Sequence, residues 1–124
     1  MDCMKKLLIS LFLFAGFAFG QQTHSATLTW TDTANPSGTT YNAWRASGTC
    51  PSPGPTTTPP SGFTQLNAAA ITAMTYTDTT VAAGATYCYV LTAVTSAGQS
   101  VPSGTGQGTI PGAFQVSGLT VSVK

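Results

Sequence analysis

Apolar and polar residues alternate along much of this chain, and the alternation predicts short β-strands. Residues 26–31 place Ala26, Leu28 and Trp30 on one face and threonines on the other, which is typical of a half-buried strand. The most apolar run of this kind is TYCYVLTAVT at 86–95. Further strands are predicted at residues 39–47, 63–66, 75–78, 100–110, 114–116 and 119–123.

Turn-forming residues separate these segments. DTANPSG at 32–38 and AAG at 82–84 are rich in residues that favour turns. PSPGPTTTPPSG at 51–62 contains five prolines and predicts a stiff, exposed loop, because proline cannot pair within a central strand. The alanines of AAAITAM at 68–74 predict an extended loop rather than a helix. Short strands with turns every 8–12 residues favour an all-β, immunoglobulin-like sandwich of two sheets.

The first twenty residues have the pattern of a secretory signal peptide. Lys5 and Lys6 precede an apolar stretch at 7–19, and Ala18-Phe19-Gly20 supplies small residues at a cleavage site. A membrane anchor is the alternative, but a spanning helix needs about 20 apolar residues. We therefore expect residues 1–20 to be removed, leaving no integral membrane segment. The product would be secreted or lie at the cell surface, with the periplasm as a further compartment.

Cysteine parity agrees with export. Cys3 would leave with the signal peptide, so Cys50 and Cys88 remain as a pair. Two cysteines in an exported protein most simply form one disulfide. A metal site is the alternative, but zinc is usually held by about four ligands. We expect the disulfide, and neither a metal nor a cofactor.

Charge and composition exclude several functions. The formal net charge is only +1, and the chain has no glutamate, so it lacks the clustered basic residues that bind nucleic acids or anionic membranes. The two acidic residues beyond the leader, Asp32 and Asp78, lie in predicted turns, and His24 is expected to be exposed near the new N-terminus. No nucleophile with a neighbouring base is evident. The sequence does not predict an enzyme.

Several segments together resemble a fibronectin type III domain. They are ATLTW at 26–30, TTYNAWRAS at 39–47 and MTYTDTTVAAGATYCYVLTAVTSAGQSVPS at 74–103. The resemblance implies a domain at 21–111 whose core markers are Trp30, Tyr41, Tyr76 and Tyr87, with Tyr87 at the tyrosine-corner position. The usual first strand is missing before Trp30. The pair Cys50 and Cys88 resembles a variant of exported bacterial modules that have one disulfide.

The resemblance implies a non-catalytic module for adhesion, protein–protein interaction or surface assembly. Its partner would be a protein or a polysaccharide at the cell surface. Alternation places Trp44 outward beside Val90, and together with Val94 they form a candidate binding surface. A carbohydrate-binding accessory module using exposed aromatic residues is the alternative function. In the other interpretation of Trp44, the proline-rich loop covers its ring.

The C-terminal residues 112–124 read GAFQVSGLTVSVK. The segment SGLTVSV at 117–123 resembles the first strand of a fibronectin type III domain, the strand that the front of this domain lacks. It could pack on its own sandwich, insert into a neighbouring copy in an open assembly, or be a frayed terminus. The sequence leaves these three arrangements open.

Overall fold

The structure, a computed structural model, describes the backbone of residues 8–15 and all of residues 24–112. The expected cleavage site and the strands expected at 114–116 and 119–123 lie outside the described residues. Within those ranges there are eight strands and no helix. The strands are β1 (Leu8–Ala15), β2 (His24–Thr31), β3 (Thr40–Ser47), β4 (Thr64–Gln65), β5 (Thr75–Asp78), β6 (Thr86–Thr95), β7 (Gly98–Gln99) and β8 (Gly106–Thr109).

The strands form two antiparallel sheets. One has the order β1-β2-β5, and the other has β4-β3-β6, with β6 pairing also with β7 and β8. The predicted all-β sandwich of two sheets is confirmed. In the part of the chain that the structure describes, no helix has the length and apolarity that crossing a membrane would require.

The core lies between the two sheets and follows from the period-two alternation of their strands. Burial along β2 alternates through the strand, so that every second side chain enters the core. Trp30 is 4% exposed and meets the Tyr41 ring edge-on, with 5.3 Å between ring centroids. Tyr87 is also buried, whereas Tyr76 is half-buried against the core cluster. The remaining buried members of that cluster are Ala26, Leu28, Ala43, Ile71, Tyr89, Leu91, Ala93 and Ile110.

His24 differs from the sequence prediction. It was expected to be exposed, but only 8% of its surface is accessible. The strand β2 begins at His24, two positions before Ala26, so the alternation places both side chains on the same face.

The edge of β2 is the second difference from the sequence prediction. No strand preceding β2 was expected to fill it, but β1 pairs with the whole of β2, from Leu8 opposite Thr31 to Ala15 opposite His24. The segment that pairs there is the apolar part of the predicted signal peptide.

Candidate functional site

A disulfide joins Cys50, just after β3, to Cys88 on β6. Their Cα atoms are 4.9 Å apart. Cys88 lies opposite Ala46 in the pairing of the two strands, so the chain leaving β3 begins its next loop directly above β6. The expected pairing is confirmed, and it fixes the first residue of the proline-rich loop.

The proline-rich loop, residues 51–62, crosses the outer face of the larger sheet. At its start, the Cys50 amide donates to Oε1 of Gln107 on β8 (2.7 Å). Farther on, Thr58 Oγ1 donates to the Ser100 carbonyl (2.9 Å), and Pro60 is buried. The loop then reaches β4, on the opposite edge of the sheet. Because β8 and β4 flank β6 and β3, this path takes the loop over both strands.

The candidate binding surface is largely buried. Trp44 pairs with Val90, as the alternation predicts, but Trp44 is only 8% exposed and Val90 is fully buried. Val94 is half-buried. The Trp44 indole Nε1 donates to Thr92 Oγ1 (3.0 Å), which in turn donates to Gln99 Oε1 (2.6 Å). Trp44 and Val90 are therefore buried in this structure, whereas the candidate binding surface requires them to be exposed.

A buried polar cluster joins the two sheets. Asp78, the last residue of β5, is 2% exposed, and its Oδ2 lies 2.7 Å from Arg45 Nη1 on β3. Tyr89 donates to the same oxygen (3.0 Å), while the amide and hydroxyl of Thr80 donate to Oδ1 (3.0 and 2.7 Å). The Arg45 guanidinium also lies over the Tyr87 ring, 4.6 Å from its centroid.

The electrostatics of this cluster favour a fixed ion pair. Burial raises the pKa of the Asp78 carboxyl, but hydrogen bonds from Thr80, Arg45 and Tyr89 outweigh it and hold the pKa below 3.8. Burial and the neighbouring Asp78 charge raise the pKa of Tyr89. A carboxylate accepts about four hydrogen bonds, and Asp78 has four donors, so its oxygens are fully engaged within the fold.

Asp32 is engaged in a similar way at the turn after β2. Its Oδ1 accepts from the amides of Ala34 and Asn35, and its Oδ2 accepts from the Asn35 side chain (2.6 Å) and the Tyr41 hydroxyl (2.9 Å). Burial and the Asp32 hydrogen bond raise the pKa of Tyr41 to about 12. Among the described residues, no three histidine, cysteine, aspartate or glutamate side chains come together as a metal site would require.

Sequence reasoning did not pair Arg45 with Asp78. Alternation from Tyr41 and Ala43 puts Arg45 on the inward face of β3, where a charge needs a partner. The chain offers only two carboxylates beyond its leader, one of which begins the turn after β2. That inward position was the signal that could have identified Asp78 as the partner.

No sequence family matches this chain, and none of the curated proteins does. Among solved structures, a Fn3-like protein from Clostridium thermocellum is 30% identical. The similarity covers 84% of this chain and 93% of that protein, with a TM-score of 0.51. The chain belongs to the fibronectin type III family. The twitchin kinase region from C. elegans shares the fold over 79% of this chain and 16% of its own length, at 20% identity and a TM-score of 0.51.

The fibronectin type III assignment gives a structural meaning to Tyr87. Its hydroxyl accepts a hydrogen bond from the Ala82 amide (3.0 Å), five residues upstream, as in the tyrosine corner of immunoglobulin-like sandwiches. The intervening turn contains Gly84 at φ +77°, whose amide reaches the Ile110 carbonyl (3.1 Å). The corner therefore ties the start of β6 to the end of the domain.

Removing the Asp78 carboxylate is expected to destabilise this fibronectin type III domain. Asp78→Ala leaves Arg45 without its partner and should lower the free energy of unfolding by about 3 kcal/mol, the low end for a broken buried pair, since Arg45 retains some solvent contact. Asp32→Ala is the matched control, because Asp32 is only partly buried and Arg45 pairs with Asp78 instead; it should cost about 1 kcal/mol. Urea unfolding measures both. Equal losses would contradict the account.

The same groups predict a pH profile. The pKa of Asp78 is lowered in the folded state. Its contribution to the free energy of unfolding is therefore complete above pH 3.8 and is lost as the pH falls through the folded pKa. The pKa of Tyr41 is raised, so its contribution is lost as pH rises from 10 to about 12. Urea midpoints should therefore be constant at intermediate pH and fall at both extremes. A midpoint that stays constant well below pH 3.8 would contradict this prediction.

Proposed function

We propose that this chain is the precursor of an exported, non-catalytic fibronectin type III module that acts through protein contacts outside the cytoplasm. The observation that carries the proposal is the disulfide between Cys50 and Cys88, which anchors the loop over the outer face of the sandwich. Such bonds form and persist in oxidising compartments. The basic and apolar pattern of residues 1–20 supports export independently.

The state of the polar residues supports binding over catalysis. Both Asp32 and Asp78 already accept hydrogen bonds from within the fold, so neither carboxylate is left for general acid–base chemistry. The two half-cystine residues have no free thiol to act as a nucleophile. The residues beyond the leader carry no net formal charge, which favours contacts made by backbone pairing and neutral side chains.

The carbohydrate-binding alternative has less support than protein binding. It relies on exposed rings on which a sugar could stack, supplied by Trp44 and tyrosines, but the following aromatic residues are buried: Trp44, Tyr41, Tyr87 and Tyr89. Met74 and Val101 are the exposed large hydrophobic residues of the described chain, and neither is aromatic. We therefore propose protein, rather than polysaccharide, as the class of partner.

Charge reversal in the leader tests export. With Lys5→Glu and Lys6→Glu, the positive charge that precedes the apolar segment is gone, so the protein should remain uncleaved in the cytoplasm. Lys124→Glu, which changes a lysine outside the leader, is the control and should be exported like the wild type. Fractionation and immunoblotting of expressing bacteria measure both. Wild-type protein found only in the cytoplasm would contradict the proposal.

A further inference from the structure

Among the described residues, the edge of β2 that faces away from β5 is paired only with a strand of the predicted leader. It is occupied by β1, which pairs antiparallel with β2 along its full length. Residues 8–15 lie within the segment whose removal we propose above, and the present inference rests on that proposal. Export would therefore take away the strand that completes this sheet.

The pairing of β2 with β5 shows which backbone groups of β2 would lose their partners if β1 were removed. The Trp30 amide donates to the Met74 carbonyl, towards β5 (3.1 Å). Successive residues of a strand direct these groups to opposite edges, so those of Thr27 and Thr31 point to the edge that β1 occupies. Without β1, this edge presents unpaired donors and acceptors beside an apolar core.

The register defines what would fit this edge. Ile9, Leu11 and Leu13 are in register with Trp30, Leu28 and Ala26, so an occupant needs apolar residues at three alternate positions. The segment at 117–123, SGLTVSV, has Leu119, Val121 and Val123 at such positions, with Thr120 and Ser122 between them. In the same register, the polar residues of this segment lie opposite Thr29 and Thr27, on the outer face.

The direction of the strand distinguishes a neighbouring copy from the same copy. Ile110 donates to the Ala85 carbonyl (2.8 Å), so the chain leaves the domain beside the start of β6. Tyr89, near the start of β6, is hydrogen-bonded to Asp78. Asp78 in turn lies opposite Ala26, in the first half of β2. The starts of β6 and β2 are therefore at the same end of the sandwich. We call this end of the sandwich the exit pole. There β2 begins and β1 ends.

A tail that left the exit pole and turned directly onto β2 of its own copy would run parallel to β2, against the direction of β1. Such a strand could not take the antiparallel register that β1 has with β2. The tail of a second copy can instead enter at the opposite pole, beside Thr31, and run in the direction of β1.

We propose that, once the leader is removed, the β2 edge accepts residues 117–123 of a second copy as an antiparallel strand. Leu119, Val121 and Val123 then take the register positions of Ile9, Leu11 and Leu13. Each copy presents its edge at one side and donates its tail at the exit pole, so the contact is heterologous and builds an open, head-to-tail assembly.

The test uses mature protein exported from the full-length gene. Analytical ultracentrifugation should show a series of oligomers for the wild type and a monomer for Val121→Asp, because the charge would enter the core face. Ser122→Asp is the matched control: the same charge falls on the outer face, and oligomers should persist. A wild-type monomer of correct mature mass would overturn this inference while leaving export intact. Retention of residues 1–20 would instead overturn the proposed function.

Cross-linking shows whether the strand paired with β2 comes from a second copy or from the same copy. One copy carries Thr27→Cys and another carries Ser122→Cys, and the two are mixed before mild oxidation. A disulfide-linked dimer containing one of each supports pairing between copies, with Cys50 and Cys88 confirmed by peptide mapping to remain joined to each other. A monomer whose melting temperature falls with Val121→Asp, but not with Ser122→Asp, would show pairing within one copy and overturn the inference.

Discussion

Trp30→Ala is expected to lower the free energy of unfolding by about 3–5 kcal/mol, the usual range for deleting a large buried aromatic side chain. The Trp30 ring is 4% exposed and packs edge-on against Tyr41 at the centre of the core. A domain of this size is usually stable by about 5–15 kcal/mol, so the variant should be near the limit of folding.

Thr31→Ala is the control for this substitution. Thr31 lies next to Trp30 on β2 but is exposed, so its removal should change stability by no more than about 0.5 kcal/mol. Thermal unfolding followed by circular dichroism measures both variants. If Trp30→Ala has the same melting temperature as the wild type, Trp30 lies outside the core, and the inward and outward faces assigned to β2 are exchanged.

The second large effect is expected from removing the disulfide. Cys50 and Cys88 are 38 residues apart, and the chain-entropy relation gives about 3–4 kcal/mol for closing a loop of that length. In the double variant Cys50→Ala, Cys88→Ala, the proline-rich loop also loses its anchor. Trp44 should then gain contact with water, and its fluorescence emission should shift to longer wavelength.

Cys3→Ala controls for the loss of a cysteine as such, because Cys3 lies in the segment that export should remove. The exported Cys3→Ala protein should match the wild type in both stability and emission. Urea unfolding and fluorescence spectra of the three proteins decide the matter. A double variant as stable as the wild type, with unchanged emission, would show that the disulfide neither stabilises the fold nor holds the loop.

Alternation was sufficient to predict most strands. The limits of β5 and β6 agree with the sequence prediction, and those of β3 differ by one residue. Each of these strands directs alternate side chains into the core between the sheets, and the sequence pattern has the same period of two. The two-residue strand β7 lies in a predicted hairpin loop, because a ladder that short leaves no periodic signal.

Contacts distant in sequence were beyond prediction. Period-two reasoning treats the outer face of β6 as solvated, but Cys88, Val90 and Thr92 are all fully buried there. Cys88 is joined to Cys50 at the start of the loop at 51–62, and Thr92 is hydrogen-bonded to Trp44 and Gln99, contacts that period-two reasoning does not include. Arg45 and Asp78 are 33 residues apart, so their pairing emerges only when the sheets are stacked.

The occupant of the β2 edge shows a different limit of sequence reasoning. Residues 8–15 and residues 117–123 both carry apolar residues at alternate positions, so either segment has a pattern that suits the edge. Under the proposed export, processing of the precursor would decide which one is present, and pattern alone does not encode that event.

Intact mass spectrometry of the exported protein, with and without alkylation, tests the central claim most directly. We expect a chain that begins at Gln21 and ends at Lys124, lighter by two hydrogens than the reduced form, and unaltered by alkylating reagent until it is reduced. A chain that still begins at Met1, or one with two alkylatable thiols before reduction, would contradict the account of an exported, disulfide-bonded fibronectin type III module.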